Sequence, residues 1–284
     1  MTTDSAATVN KSYFDELAAT YDSRHARLIE RLTRELQNRL DFIGVDWVSE
    51  DDDDGDDDDE GSEMEGETDG KKPRREVRLL DYACGTGMIS RALAPYLTQC
   101  IGIDISDNMV AAYNTRARNQ GLLPSEMHAL QGDLLTTTTT TTDDLTSGNL
   151  SAPHLFGFDL AAVGGGFHHF GDPGLAARRL AERLRPGGVL VVVDFVEHGG
   201  GHHSHGGAHT VMHHGFSAER MREIFEDAGV GAGFGLEVMG RGFVGGGDVA
   251  WVEGAEDGES GCDGLDGKKG VLERQMFIAR GTKV

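Results

Sequence analysis

The chain has 284 residues, with 26 basic and 48 acidic side chains and a formal net charge of -22. That length suits one large domain or two small ones. So acidic a balance disfavours nucleic acid, whose affinity comes mostly from Lys and Arg on phosphates. Three scattered cysteines, Cys84, Cys100 and Cys262, are no disulfide framework and suit a reducing cytosol or nucleus.

No apolar run of about 18 residues exists, and MTTDSAATVNKSYFDE lacks a basic segment followed by an apolar one, so neither a membrane span nor a secretory signal is expected. In chain order, the first helical pattern runs from Arg24 to Ile43, where Leu28, Leu32, Leu36 and Leu40 recur at i, i+4. Residues 49–70 follow, SEDDDDGDDDDEGSEMEGETDG. Fourteen acidic residues lie between Glu50 and Asp69 with no basic one, so the rest of the chain carries only -8. Such dense like charge resists collapse and predicts a disordered insertion over 49–75.

Strands and helices then alternate. VRLLDY (77–82) reads as a buried strand, MISRALAPYL (88–97) as a helix and CIGIDI (100–105) as a second strand. A helix over 106–121 can be capped by Ser106 or Asp107 and ended by Gly121. Strands follow at 127–133 and 156–165, a helix at 173–188, and the β-branched strand VLVVVDF at 189–195. A helix at 217–230 with Ser217 as its cap and closing strands at 236–244 and 274–280 complete the pattern. The stretches 136–153, 197–209 and 245–270 are rich in Gly, Thr, Ser, Asp or His and read as low-complexity loop insertions. The alternation predicts a single domain over 1–284, an α/β sandwich around a mainly parallel sheet.

The informative stretch is RLLDYACGTGMIS, 78–90, a strand running into a glycine turn and a helix. A dinucleotide fingerprint needs a third small residue where Ser90 stands, and a Walker loop needs a Gly-Lys-Ser/Thr that is absent. Asp81 ends the strand before the glycines, and Asp104 ends the next strand. A carboxylate beside the turn suits a pyrophosphate poorly. It suits a ligand with cationic groups, such as an ammonium and a sulfonium.

LLDYACGTG, GIDIS, QGDLL, FDLAAVGGGFHHF and LRPGGVLVVVDF resemble, in order and spacing, the successive motifs of class I S-adenosylmethionine-dependent methyltransferases. The nearest subgroup is the ubiquinone/menaquinone-biosynthesis-like small-molecule methyltransferases, whose opening segment YFDELAATYD also resembles. The resemblance covers roughly 10–46 and 76–284 apart from the low-complexity loops. It implies a Rossmann-like sandwich with a seven-stranded sheet whose last strand is antiparallel. It also implies N-terminal lid helices over 10–46, S-adenosylmethionine as cofactor, S-adenosylhomocysteine as product, and a small-molecule acceptor.

Residue by residue, the resemblance puts Asp81, Gly85 and Gly87 around the amino-acid end of the cofactor. Asp104 accepts from the ribose hydroxyls, Ile105 and Met109 pack on the adenine, and Asp133 accepts from its amino group with Leu134 beside the ring. Tyr13 and Tyr21 belong to the lid, and Gly164 to the stretch near the methyl group. Ala83 stands where the family usually has Gly, which bears on how tightly the turn closes around the methionine moiety. His168 and His169 are the general-base candidates, with His214 in MHHGF a further one. Cys84 reads as a packing thiol.

Other readings remain open at this level. His198, His202, His203, His205 and His209 could in chemical terms bind Zn or Ni, but the glycines between them preorganise no tetrahedron, so no metal is expected. The acidic tract is a solvated spacer by default and a docking site for a basic protein second. A protein methyltransferase and a non-catalytic cofactor-binding module are the competing functions.

Overall fold

A computed structural model describes residues 3–48, 75–136, 149–197, 208–245, 248–251 and 272–284. The acidic tract, most of the Thr-rich and His-rich stretches and most of 245–270 lie outside the described residues. No described helix is long and apolar enough to cross a membrane.

The single helix expected over 24–43 is preceded by another and is itself divided. Helix α1 runs Thr3–Leu17, α2 Tyr21–Gln37 and α3 Leu40–Ile43. The buried side of α1 carries Ala6, Asn10 and Leu17, a stripe too small and polar to show as apolar periodicity. Helix α2 bends at His25, whose φ of -113° and ψ of 16° leave the helical region. Helix α3 stops on Gly44, left-handed at φ 71°, whose amide bonds the Leu40 carbonyl at 2.9 Å.

Strand β1 is Arg78–Tyr82, α4 Met88–Leu93, β2 Gln99–Asp104, α5 Asp107–Asn119, β3 Met127–Gln131, β4 Phe158–Gly164 and α6 Pro173–Arg183. Strand β5 is Leu184–Phe195, α7 Ala218–Asp227, β6 Ala232–Gly245, β7 Asp248–Trp251 and β8 Leu272–Thr282. Ser106 and Ser217 cap α5 and α7 as expected, their hydroxyls accepting from the Met109 and Arg220 amides. Helix α6 ends five residues before the expected 188. Pro186 lacks an amide and disfavours helical backbone at Arg185, so the chain turns extended at Leu184 and enters β5 with a register shift against β4.

The sheet order is β3-β2-β1-β4-β5-β8-β6-β7. Strand β1 pairs parallel with β2 and β4, β2 with β3, and β4 with β5, while β8 runs antiparallel between β5 and β6. This is the expected seven-stranded sheet with its antiparallel last strand. The short β7, paired antiparallel with β6, adds an eighth strand at the edge.

Alternation along the strands buries both faces. Leu80, Leu190, Val192 and Phe277 face α6 and α7, whereas Leu79, Val191, Val193 and Ile278 face α2, α4 and α5. The order reverses between β1 and β4, so the carboxyl ends of these strands open a crevice, the place where open α/β sheets bind ligands.

Candidate active site

The turn after β1 is strained at one place. Ala83 has φ 54°, the only non-glycine with positive φ among the described residues, in a region that costs an L-residue about 1–2 kcal/mol. Gly87, at φ 89°, has the Tyr113 ring 2.8 Å from where a Cβ would sit, so any side chain would collide with α5. Asp81 is buried, and its Oδ2 accepts from the Ser90 amide at 3.1 Å and hydroxyl at 2.7 Å. Tyr113 donates in turn to Ser90 Oγ at 2.8 Å. The position that a pyrophosphate turn would leave small is thus used to hold a carboxylate.

Asp104 joins the turn to α5: Oδ2 accepts from the Gly85 amide at 2.8 Å and Oδ1 from the Ser106 amide at 2.9 Å. Burial pushes Asp81 up to about 7 despite its Ser90 donors. Burial likewise lifts Asp104 to about 6 against the amides of Ser106 and Gly85. The nearby Arg91 and Arg116 do not neutralise them directly, because both pair with Asp22, at 3.4 and 2.8 Å. Cys84 is buried, with Sγ filling the space a Cβ on Gly102 would need, which makes it the packing thiol expected.

A small pocket, open to solvent, lies over the strand ends. Of the expected site residues it is lined by Ala83, Ile105, Asp133 and His169. Asp133 Oδ1 accepts from the Tyr82 hydroxyl at 2.9 Å and the Leu135 amide at 2.8 Å. Leu135 lines the pocket where Leu134 was expected; Leu134 turns into the core. Met109 is 1% exposed and outside the lining. Gly164 also lies outside it: Ile89 Cγ1 sits 2.7 Å from its Cβ position, so close packing of α4 is what its smallness serves.

The histidines separate. His168 is buried and absent from the lining; its Nδ1 lies 2.9 Å from Asp194 Oδ1, and its amide donates to Asp194 Oδ2 at 3.0 Å. Burial alone would raise Asp194. The neighbouring His168 ring and the amides of Phe195 and His168 outweigh it and hold the carboxyl below its ordinary value. His169 lines the pocket. Its Nδ1 lies 2.8 Å from the Thr210 carbonyl, which can only accept, so Nδ1 carries the proton. Burial and the adjacent His168 push His169 down to about 3. A ring so depressed stays neutral and offers Nε2 as an acceptor, which corrects the expectation of a base titrating near neutral pH. His214 is exposed and is not brought to the pocket, while the adjacent His213 donates from Nε2 to the Phe170 carbonyl at 3.1 Å.

The N-terminal helices close over this crevice. Tyr13 packs edge-on against His209 at 5.4 Å. Burial, with Asp22 and Asp104 nearby, pushes Tyr21 up to about 12. Asp15 Oδ1 accepts from Ser106 Oγ at 2.6 Å and the Asn108 amide at 3.2 Å, and Asp22 Oδ1 accepts from Thr86 Oγ1 at 2.5 Å. Asn10 reaches across to donate to the His169 carbonyl at 3.2 Å. Asn10 and Asp194 have no role in the sequence reading, and Asp15 and Asp22 enter it only as positions of the segment YFDELAATYD; the partners that tie the four to the crevice, His169, His168, Ser106 and Thr86, are remote in the chain. That segment, and an acid at the carboxyl end of a buried strand for Asp194, are the available signals. The described residues contain no cluster of three or more His, Cys, Asp or Glu able to hold a metal; four of the five loop histidines lie outside them.

Residues 22–230 match the methyltransferase domain family model, and the chain belongs to that family. It is 33% identical over 173 residues to an uncharacterized methyltransferase of Schizosaccharomyces pombe, covering 58% of this chain and 56% of that one. It is 28% identical over 129 residues to a ubiquinone biosynthesis O-methyltransferase of Caulobacter sp., 45% of each chain. The chain thus spans about half the length of the curated relatives it matches. A Haloferax volcanii protein solved in complex with the Trm112 methyltransferase activator superposes with TM-score 0.54 at 16% identity, covering 95% of this chain and 96% of that one, a likeness of fold.

Proposed function

We propose that the chain is an S-adenosylmethionine-dependent methyltransferase of the ubiquinone/menaquinone-biosynthesis-like type, acting on a small molecule. The carrying observation is the pair of buried carboxylates, Asp81 and Asp104, lifted by burial and joined to the glycine turn without a cation of their own. Such a site favours a ligand bearing positive charge. The turn also has room: a Cβ at Gly85 would meet nothing within 4 Å.

When bound, S-adenosylmethionine supplies an electrophilic methyl group on a sulfonium. Asp104, fixed by the Gly85 and Ser106 amides, keeps lone pairs for a vicinal diol. Asp133, oriented through Oδ1 by Tyr82 and Leu135, keeps Oδ2 for an amino group, between Ile105 and Leu135 as apolar walls. Asp81 holds the start of α4 through Ser90. Tyr13 and Tyr21 act in the lid, which excludes water and aligns the acceptor, and alignment supplies much of the rate of such a transfer. His169 orients the acceptor through a neutral acceptor nitrogen and does not store its proton, which leaves for solvent. The crossing of α1, with Ala6, Ala7 and Asn10 on the pocket wall, favours a small acceptor over a protein tail. The cysteine pattern supports a reducing compartment, the cytosol or nucleus, and the acidic tract is offered as a spacer or a docking segment for a basic partner.

Titration calorimetry with S-adenosylhomocysteine tests the cofactor; absence of binding would falsify the proposal. Tritium transfer from labelled cofactor into a fractionated cell extract tests the acceptor class. Label in small molecules is expected, and label confined to protein bands would overturn that part.

A further inference from the structure

The pocket wall contributed by α1 holds a polar group with an unfilled valence. Asn10 is 8% exposed and lines the pocket, and its Nδ2 is spent on the His169 carbonyl. Its Oδ1 is buried and has no hydrogen-bond partner among the described residues. A buried acceptor left unpaired is unfavourable unless a ligand completes it. Beside it, His169 donates from Nδ1 to Thr210, so its other ring nitrogen is an acceptor too. Two acceptors therefore belong to residues that line the same pocket, with Ala6, Ala7 and Phe170 also on its wall.

We infer that Asn10 and His169 form a specificity pair that selects methyl acceptors carrying an N–H or O–H donor and rejects those presenting a carboxylate or phosphate there. The inference rests on the methyltransferase reading and gives it a substrate chemistry. An amine or hydroxyl satisfies Asn10 Oδ1. An anionic head would set acceptor against acceptor, in a low-dielectric place where nothing repays its desolvation. Asn10 touches the acceptor in this scheme; it carries no proton and forms no bond.

The test uses the full chain saturated with S-adenosylhomocysteine and three probes with the same apolar body: benzylamine, benzyl alcohol and benzoate. Binding is followed by calorimetry and by the shift of the His169 ring nitrogens in NMR. Both donor probes are expected to bind and move Nε2, with benzoate weaker by about tenfold or more. Asn10→Leu is expected to weaken the donor probes by about three- to tenfold, without weakening benzoate or S-adenosylhomocysteine. His169→Phe, which keeps an aromatic ring and removes the acceptor, is expected to reduce the same discrimination while Asn10 stays intact.

Benzoate binding as tightly as benzylamine, with S-adenosylhomocysteine still bound, overturns the pair alone. So does an Asn10→Leu variant that loses S-adenosylhomocysteine and not the probes, since Asn10 would then serve the cofactor. Failure of the wild-type chain to bind S-adenosylhomocysteine overturns both readings.

Discussion

On the two sides of the crevice, equally buried carboxylates are prepared in opposite ways. Asp81 and Asp104, at the ends of β1 and β2, are lifted by burial to about 7 and about 6. Asp194, at the end of β5, is completely buried yet stays below its ordinary value, because the His168 ring and two amides point at it. Burial alone does not decide the charge of a group; the partners it keeps do. The first pair is left short of positive charge and is free to take it from a ligand. The second is satisfied within the protein and can only shape what lies beside it, the loop of His168 and His169.

The sharpest way to break this contrast is to remove one carboxylate from each side. In the role proposed for Asp104, Asp104→Ala would delete two charge-assisted bonds to a ribose, each worth about 1.5–3 kcal/mol, so S-adenosylhomocysteine should bind about a hundredfold more weakly or worse. The Gly85 and Ser106 amides lose their acceptor as well, so a small loss of melting temperature accompanies it. Wild-type affinity in calorimetry would take Asp104 out of the ribose role. Asp194→Ala reverses the emphasis. It strands the His168 ring and the amides of His168 and Phe195, costs about 3 kcal/mol of stability, and weakens cofactor binding little. A denaturant midpoint equal to wild type would contradict the account of Asp194.

What could be read from the sequence follows the same division. The glycine turn, Asp81 and Asp104 stand at or near the ends of consecutive strands, where strand periodicity and a glycine pattern draw attention to them, whereas Asp133, just past β3, is reached mainly through the family resemblance. The β4 loop was located too, but not the roles within it. His168 and His169 are neighbours in sequence, and only Asp194, 26 residues on, and Thr210, 41 residues on, determine that one is held inside and the other lines the pocket. Asn10 acts 159 residues from its partner, on a helix whose stripe is written in Ala and Asn, so neither periodicity nor motif exposed it. The end of α6 is not legible in the same way, because the Pro186 effect competes with a strong preceding helical pattern.

Acidity should act on the Asp81–Asp104 side in two opposed ways. A cationic ligand prefers the ionised Asp104, so its affinity is lost as pH falls through about 6; from pH 7.5 to 5 a drop of about tenfold is expected. Stability of the free protein runs the other way. Asp81 binds its proton more tightly folded, near 7, than unfolded, near 3.8. Its contribution is therefore complete below the unfolded value and is lost as pH rises through about 7. Asp81→Asn should flatten the wild-type stability profile between pH 4 and 7. A variant profile parallel to wild type would show that Asp81 is not the group responsible.

Ala83 offers a smaller test on the β1 side. Its left-handed backbone and the Gly166 Cβ position 2.9 Å from its methyl show a crowded turn. Ala83→Gly relieves the backbone and restores the residue usual in the resembling family, for a gain of about 0.5–1 kcal/mol after the added chain entropy of glycine. A lower melting temperature would mean that the methyl packs better than its φ suggests.

The smallest expected effect lies where the N-terminal helices meet the acid-rich side. Asp22 ties α2 to three elements at once: Thr86 in the glycine turn, Arg91 in α4 and Arg116 in α5. A quarter of its side chain is still exposed, and such pairs are worth at most about 1 kcal/mol. Asp22→Asn should therefore barely change stability. Because the residues it fastens flank the glycine turn proposed to hold the cofactor, it should speed release of S-adenosylhomocysteine by about two- to fivefold in stopped flow. Added salt screens the same contacts in the wild type, so the two release rates should converge as ionic strength rises. Release rates that stay equal at low salt would show that the Asp22 ties hold the fold and do not govern access to the crevice.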